Sequence, residues 1–264
     1  MPESLHPVFI IDEYDRVRDQ RTHTQMADTI KYFSDFSCKA TIIIVGVARD
    51  VKSLFGGHPS IERNIRQLPM PYMSKDELLQ IIDKRLDDLG MSIDSNVENT
   101  LVRLAQGLPG YTHLLGQNAT RNAIRRRNMH VCMEDLNAAL EMSINTCDEK
   151  IRDLYAQSVR STKPQNQYRE ALLACALAPI DERGFFAAAD VRTPFNRIMG
   201  REDMDIPHFS RHIAQFCKDE RGPALIQEGR PKSYQYRFSD ALLRPYVVIR
   251  GINEKMVTPE MIIA

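Results

Sequence analysis

Two short apolar runs separated by a helix-length segment constrain this chain more than any other feature of its 264 residues. Val8-Phe9-Ile10-Ile11 stops abruptly at Asp12-Glu13, and Thr41-Ile42-Ile43-Ile44-Val45 is β-branched throughout and closed by Gly46. Continuous apolar runs of this length are the pattern of strands buried on both faces of a parallel sheet. Between them, from about Thr24 to Phe36, Met26, Ile30, Phe33 and Phe36 recur at helical spacing. Strand, helix, strand is the βαβ unit, whose crossover makes the two strands parallel. Two strands alone make a poor parallel sheet, so the chain reads as beginning inside a domain.

After Pro71 the pattern becomes all-helical. Ser74-Lys75-Asp76-Glu77 is a capping box in which Ser74 and Glu77 satisfy each other's backbone donors. Leu78, Leu79, Ile81, Ile82 and Leu86 follow as an apolar face, ended by Gly90. Further helices are expected from about Asn96 to Gln106, from Pro109 to Arg127, and from Met133 to Tyr155. The polar, Pro-containing segment Ser161 to Gln167 is the best linker. Beyond it come a helix with Ala171, Leu172, Leu173 and Ala176, then helical stretches near 187–199 and 206–218. A two-stranded ribbon is expected last, Ala224 to Glu228 and Tyr234 to Phe238, turning at Gly229-Arg230-Pro231. Three helices and a ribbon read as a winged helix, a variant of the helix-turn-helix.

Composition excludes several classes. Lys plus Arg and Asp plus Glu each total 35, so the chain is not a polybasic, histone-like protein, although a local basic face is compatible with zero net charge. No apolar run approaches the ~18–20 residues of a membrane helix. The start MPESLHPVF lacks the charge and apolar stretch of a signal peptide. Five scattered cysteines, at 38, 132, 147, 175 and 217, are never spaced C-x-x-C, which fits a reducing, cytoplasmic setting.

The strongest chemical signal is the apolar strand ending in Asp-Glu, because strand ends of open α/β sheets point into the ligand crevice. There Asp12 can hold Mg²⁺ directly or through water, and Glu13 can polarise a water for attack on a terminal phosphate. The alternative is a strand ending in a turn with two solvated acids. Arg121, Arg125, Arg126 and Arg127 cluster at a helix end, where cations are favoured by the dipole. His208 and His212 stand i, i+4 but lack a third ligand, and a helix-surface pair explains them better than a metal. Met70 and Met73 are expected as core filler.

With these motifs in order, the chain resembles the AAA+ ATPases, especially the origin-initiator-like and STAND-like branch that carries a C-terminal winged helix. VFIIDEYDRV is similar to their Walker B and TIIIVGVARD to the strand of sensor 1. HPSIERNIRQLPMPYMSKDEL resembles the arginine-finger stretch and lid entry, GLPGYTHLLG the Gly-x-Pro turn of the lid, and YQYRFSDALLRPYVV the end of the winged helix. The resemblance implies a fold that begins as α/β (residues 1–72, part of a P-loop NTPase core) and continues as an all-α lid (73–160) and a winged helix (165–255). It makes Asp12 the Mg²⁺-associated acid, Glu13 the catalytic base, Arg63 the first choice and Arg66 the second for a finger reaching a neighbouring subunit's γ-phosphate, and Gly107 and Pro109 the shapers of the lid turn. Surface arginines, and a C-cap glycine followed by a helix-starting proline, are the plain alternatives.

The family's phosphate loop, G-x-x-x-x-G-K-[ST], has no counterpart here: the sequence contains no Gly-Lys pair, and only seven residues precede Val8. The sensor 1 position falls near Ala48-Arg49 and the sensor 2 position near Gly110, without the usual asparagine and arginine. The chain is therefore expected to be a truncated AAA+ protein, weak or inactive as an ATP hydrolase unless the upstream part is supplied, with ATP and Mg²⁺ as cofactors of the full-length form. A homo-oligomer or an intact AAA+ partner is expected, and no membrane. The winged helix implies DNA or partner binding through Arg211, His212, Lys218, Arg230 and Lys232. Between Asp190 and Arg250 eleven Arg or Lys face eight Asp or Glu, a mild basic excess, with Glu202, Asp203 and Asp205 beside the recognition helix. The competing reading is a non-enzymatic DNA-binding or adaptor protein on a degenerate AAA+ scaffold.

Overall fold

A computed structural model describes residues 6–46, 55, 63–68, 70–162, 166–231 and 233–263. The chain divides into two compact units, Met1–Met70 and Pro71–Ala264.

In the first unit, strand β1 (Val8–Ile11) pairs in parallel with β2 (Thr41–Ile44), Val8 opposite Thr41 and Ile11 opposite Ile44. Helix α1 (Gln20–Asp35) makes the crossover. It starts where the Asp19 side chain accepts from the Thr22 hydroxyl at 2.7 Å and the Thr22 amide at 2.8 Å, hydrogen bonds that hold the Asp19 carboxyl below its ordinary range. Its inner face is His23, Ala27 and Ile30. Tyr14, Ala27, Ile30 and Phe55 form the core, with Ile11, Ile42, Ile44 and Ile65 packed against it. The βαβ unit is as expected, but burial on both sheet faces is not. Val8, Phe9 and Ile10 are more than half exposed, as is Phe36 at the end of α1. With two strands and one helix, only one face is covered among the described residues, and β2 alternates between exposed and half-buried positions.

The second unit begins with the capping box at α2 (Lys75–Leu89): the Ser74 amide and hydroxyl both donate to Glu77 Oε2, at 2.7 and 2.8 Å, and the Glu77 amide returns a bond to Ser74 Oγ. Gly90 closes the helix in the left-handed conformation, φ 63°. Helices α3 (Ser95–Ala105), α4 (Pro109–Arg125) and α5 (Met133–Thr146) follow. A parallel bridge between β3 (Ser92-Ile93) and β4 (His130-Val131) ties their connections. The long helix expected over 133–155 is broken. Cys147 is extended (ψ 152°), and Asp148 starts α6 (Glu149–Val159) by accepting from the Lys150 amide at 2.8 Å. Arg126, expected as a dipole cap of its own helix, instead joins α4 to α5. It bonds the fully buried Asp135 through two nitrogens, both at 2.9 Å, and reaches Glu134 at 2.7 Å.

The remainder comprises α7 (Tyr168–Leu177), α8 (Arg192–Met199), α9 (Ile206–Phe216), α10 (Leu243–Asn253) and a short α11 (Pro259–Ile263). The ribbon β6 (Leu225–Glu228) and β7 (Gln235–Phe238) is antiparallel as expected. A third strand, β5 (Phe186-Ala187), adds to β7 and gives the order β5-β7-β6. One continuous core runs through this unit, from Leu78, Leu101, Leu115 and Leu136 to Leu172, Phe195, Phe209 and Val248. Met73 packs against it, whereas Met70 is 93% exposed and fills no core. Among the described residues no helix is long and apolar enough to cross a membrane.

Candidate functional site

The two strand-end acids sit at the C-terminal edge of the parallel pair, and the backbone past the strands fixes them there. The ladder continues beyond β1 and β2: the Val45 amide donates to Ile11 O at 2.8 Å, and the Tyr14 amide donates to Val45 O at 3.0 Å. Tyr14 is buried, edge-on to His23 (ring centroids 5.4 Å) and tilted against Phe55 (5.3 Å). Burial pushes its phenol above the usual range, and its hydroxyl has no hydrogen-bond partner among the described residues. Asp12 and Glu13 are thereby held between a bonded strand end and an anchored ring, and both face solvent. Asp12 Oδ1 accepts from the Glu13 amide at 2.7 Å. Glu13 adopts the left-handed conformation, φ 54° and ψ 35°, and pairs with Arg16 at 2.9 Å. A non-glycine residue held left-handed at a strand end is a local strain of the kind that gathers at functional sites.

Arg63 and Arg66 are exposed in the same unit. Between them Ile65 packs against the Tyr14 core, and Asn64 Oδ1 accepts from the Ser34 hydroxyl at 3.5 Å, so their segment is anchored from its middle. The sensor 1 pair Ala48-Arg49 and the basic residue Lys232 lie outside the described residues. The donor set at Asp12 suits magnesium, which binds through one or two carboxylates plus water and phosphate oxygens. Among the described residues no three His, Cys, Asp or Glu side chains gather as a metal cage.

In the second unit Gly107 (φ 79°) makes the turn between α3 and α4, and Pro109 occupies the first turn of α4. Gly107 O accepts from the Met73 amide at 3.0 Å, and a β-carbon on Gly107 would stand 2.7 Å from Tyr72 Cβ. The far end of the same ring meets Gly184 (φ 82°), where a β-carbon would lie 3.0 Å from the Tyr72 hydroxyl. Tyr72 thus occupies a slot made by two left-handed glycines. Beside it opens a cavity of about 430 Å³ lined by Tyr72, Arg103, Gln106, Gly107 and Arg244, among others.

In the C-terminal part Arg211 and Lys218 are exposed at α9 and just past its end, and Arg230 is exposed in the ribbon turn beside Gly229 (φ 97°). His212 is placed differently. Its ring packs edge-on to Tyr168 (5.0 Å), and burial, with Arg211 beside it, pulls its pKa below the ordinary value. The neighbouring acids are engaged: Asp203 pairs with Arg201 at 2.8 Å, and Asp205 with Arg192 at 2.9 Å. His208 caps α9, its Nδ1 accepting from the Asp205 amide at 3.0 Å.

Sequence reasoning passed over Arg103, Gln106 and Arg244. The available signal was a lone arginine inside the apolar run of Leu242-Leu243-Arg244-Pro245-Tyr246-Val247-Val248, where a solvated residue is out of place.

No protein family's sequence pattern matches the chain, and no curated protein is similar to it. Solved structures are similar at low identity. Cdc6p from Pyrobaculum aerophilum aligns with 96% of this chain and 68% of its own at 11% identity and TM-score 0.41. A RuvB variant from Thermotoga maritima aligns with 90% and 70% at 12% identity and TM-score 0.44. The Aeropyrum pernix ORC1 protein in complex with DNA aligns with 95% and 65% at 14% identity and TM-score 0.41.

Proposed function

We propose that this chain carries part of a nucleotide-driven switch of the AAA+ class: part of an α/β core in 1–72, a helical lid in 73–160 and a winged helix in 165–255. The observation that carries the reading is the acid pair at the end of β1, with Glu13 held left-handed and the ladder extended through Tyr14 to hold it. In this reading Asp12 stands near Mg²⁺ through water and Glu13 orients the water that attacks the terminal phosphate. Arg63, then Arg66, is the arginine offered to a neighbouring subunit's nucleotide, and Gly107 and Pro109 shape the lid turn. The metal-bound nucleotide supplies the scissile phosphate and the charge that stabilises its transfer. The phosphate-cradling loop, which this sequence lacks, comes from outside these residues, through an upstream segment or an intact AAA+ partner.

Nucleotide titration tests this. The chain alone is expected not to bind ATP at micromolar concentration. A form extended in frame with a phosphate loop is expected to bind and hydrolyse it, and Glu13→Gln there to slow turnover about 10²–10⁴-fold with ATP still bound. Tight ATP binding by the short chain, or unchanged turnover in the variant, removes the reading.

A second reading, a non-enzymatic DNA-binding or adaptor protein on a degenerate scaffold, is favoured by the exposure of Arg211, Lys218 and Arg230 and by the engagement of Asp205 and Asp203 by Arg192 and Arg201. It requires DNA binding without nucleotide. The slope of log affinity on log salt should fall by about one for each phosphate-contacting cation replaced, Arg211 or Arg230. Absence of binding at low salt dismisses it.

A further inference from the structure

The cavity beside Gly107 is lined by the guanidinium of Arg244. Arg244 donates through Nε to Ala176 O at 3.0 Å and through one terminal nitrogen to Ala178 O at 2.9 Å. These carbonyls close the C-terminal end of α7, where the helix dipole supplies at most about half a negative charge. Among the described residues no carboxylate pairs with Arg244. Burial pulls its guanidinium down to about 10, although Tyr72 opposes the shift. Arg244 is half-buried, and a partly desolvated guanidinium without a counterion is the kind of group that an anion stabilises.

Two further features belong to the same walls. Arg103 is exposed and lines the same cavity, its Nη1 donating to Ile262 O at 3.4 Å, so the lining contains a second guanidinium. Gln106 is fixed by Nε2 donating to Ala176 O at 3.3 Å, while its buried Oε1 has no donor among the described residues. The space of about 430 Å³ lies within the size range of small-molecule sites. Planar guanidinium forks match phosphate oxygens through paired N–H donors, and two such cations suit a dianion better than a monoanion.

We propose that this cavity is a binding site for the phosphate group of a small metabolite, seated between Arg244 and Arg103 with Tyr72 and Gly107 among its walls. The site lies wholly within Pro71–Ala264 and does not depend on the acids of the first unit.

Calorimetric titration of the full chain tests it, with inorganic phosphate, acetate and chloride compared at constant ionic strength. Phosphate should bind saturably and about tenfold more tightly than acetate, with chloride producing no saturable heat. Arg103→Gln, at an exposed position, should weaken phosphate about tenfold, and Arg244→Gln should abolish binding. Because Arg244 also caps α7, thermal unfolding is followed in parallel. Phosphate should raise the melting temperature of the unaltered chain and lose that effect in Arg103→Gln, which decides the matter even where Arg244→Gln fails to fold. Acetate binding as tightly as phosphate, a phosphate response equal to that of chloride, or binding unchanged in Arg103→Gln each overturns the assignment.

Discussion

The first unit carries the acids of the proposed chemistry on a thin support, whereas the second is built around a continuous interior. In Met1–Met70 the buried apolar residues among those described are Tyr14, Ala27, Ile30 and Phe55, while Ile10 is 68% and Phe9 51% exposed. In Pro71–Ala264 one core runs from the capping-box helix to the last long helix. Strand formation and strand burial are therefore separate matters. β-Branched runs make β1 and β2 pair, but covering them needs partners that one helix cannot supply. The proposed acids can sit in the less buried unit because a strand end needs only local fixing, and here Tyr14 and the extended ladder provide it.

The sharpest way to break this contrast is to cut the chain at it. Residues 71–264 alone should retain helical circular dichroism and a cooperative thermal transition, and 1–70 alone should show none. A cooperative transition in 1–70 would mean that its small interior suffices. Next come matched truncations. Leu104→Ala, at a fully buried position, should lower unfolding free energy in urea by about 3 kcal/mol, and Ile10→Ala should change it by about 0.5 kcal/mol or less. Equal costs would abolish the distinction.

A smaller effect separates the units by pH. Burial raises the Asp135 carboxyl, but Arg126, the Cys132 amide and Asn122 more than offset it and hold it below its ordinary value. A depressed carboxylate contributes stability that is present above the unfolded-state pKa of about 3.9 and is lost as pH falls through the lower folded value. Asp135→Asn should remove that acid-side loss from the second unit, seen as a flatter stability profile below about pH 4. An unaltered acid limb would show that the pair contributes nothing there. The smallest effect concerns strain. Glu13→Gly should raise stability by about 0.5–1 kcal/mol by relieving the left-handed backbone, since the exposed Glu13–Arg16 pair contributes little. A loss of stability would place Glu13 in a structural role instead.

The elements were legible where local chemistry decides them. The runs at 8–11 and 41–44 announce strands, and Ser74 with Glu77 announces the start of α2, because bonds between near neighbours determine both. What the strands face was not legible, since an all-apolar run reads the same whether one side or two are covered. The break at Cys147 and Asp148 was hidden because apolar periodicity continues across it, from Ile144 to Ile151. The acid pair could be found from sequence alone as two adjacent residues closing an apolar run. The cavity could not, because Tyr72, Arg103, Arg244 and Ile262 come from four distant segments and only tertiary packing assembles them.

The slot around Tyr72 couples positions far apart in the chain. Gly107 and Gly184 are each required by one ring as well as by their own backbone angles. A side chain at Gly107 would force Tyr72 to move at its β-carbon, one at Gly184 would push the ring's hydroxyl end aside by a few tenths of an ångström, and a smaller residue at 72 would relax both requirements together. Drift at these three sites is therefore epistatic, and descendants of this protein should keep or abandon the trio as a set.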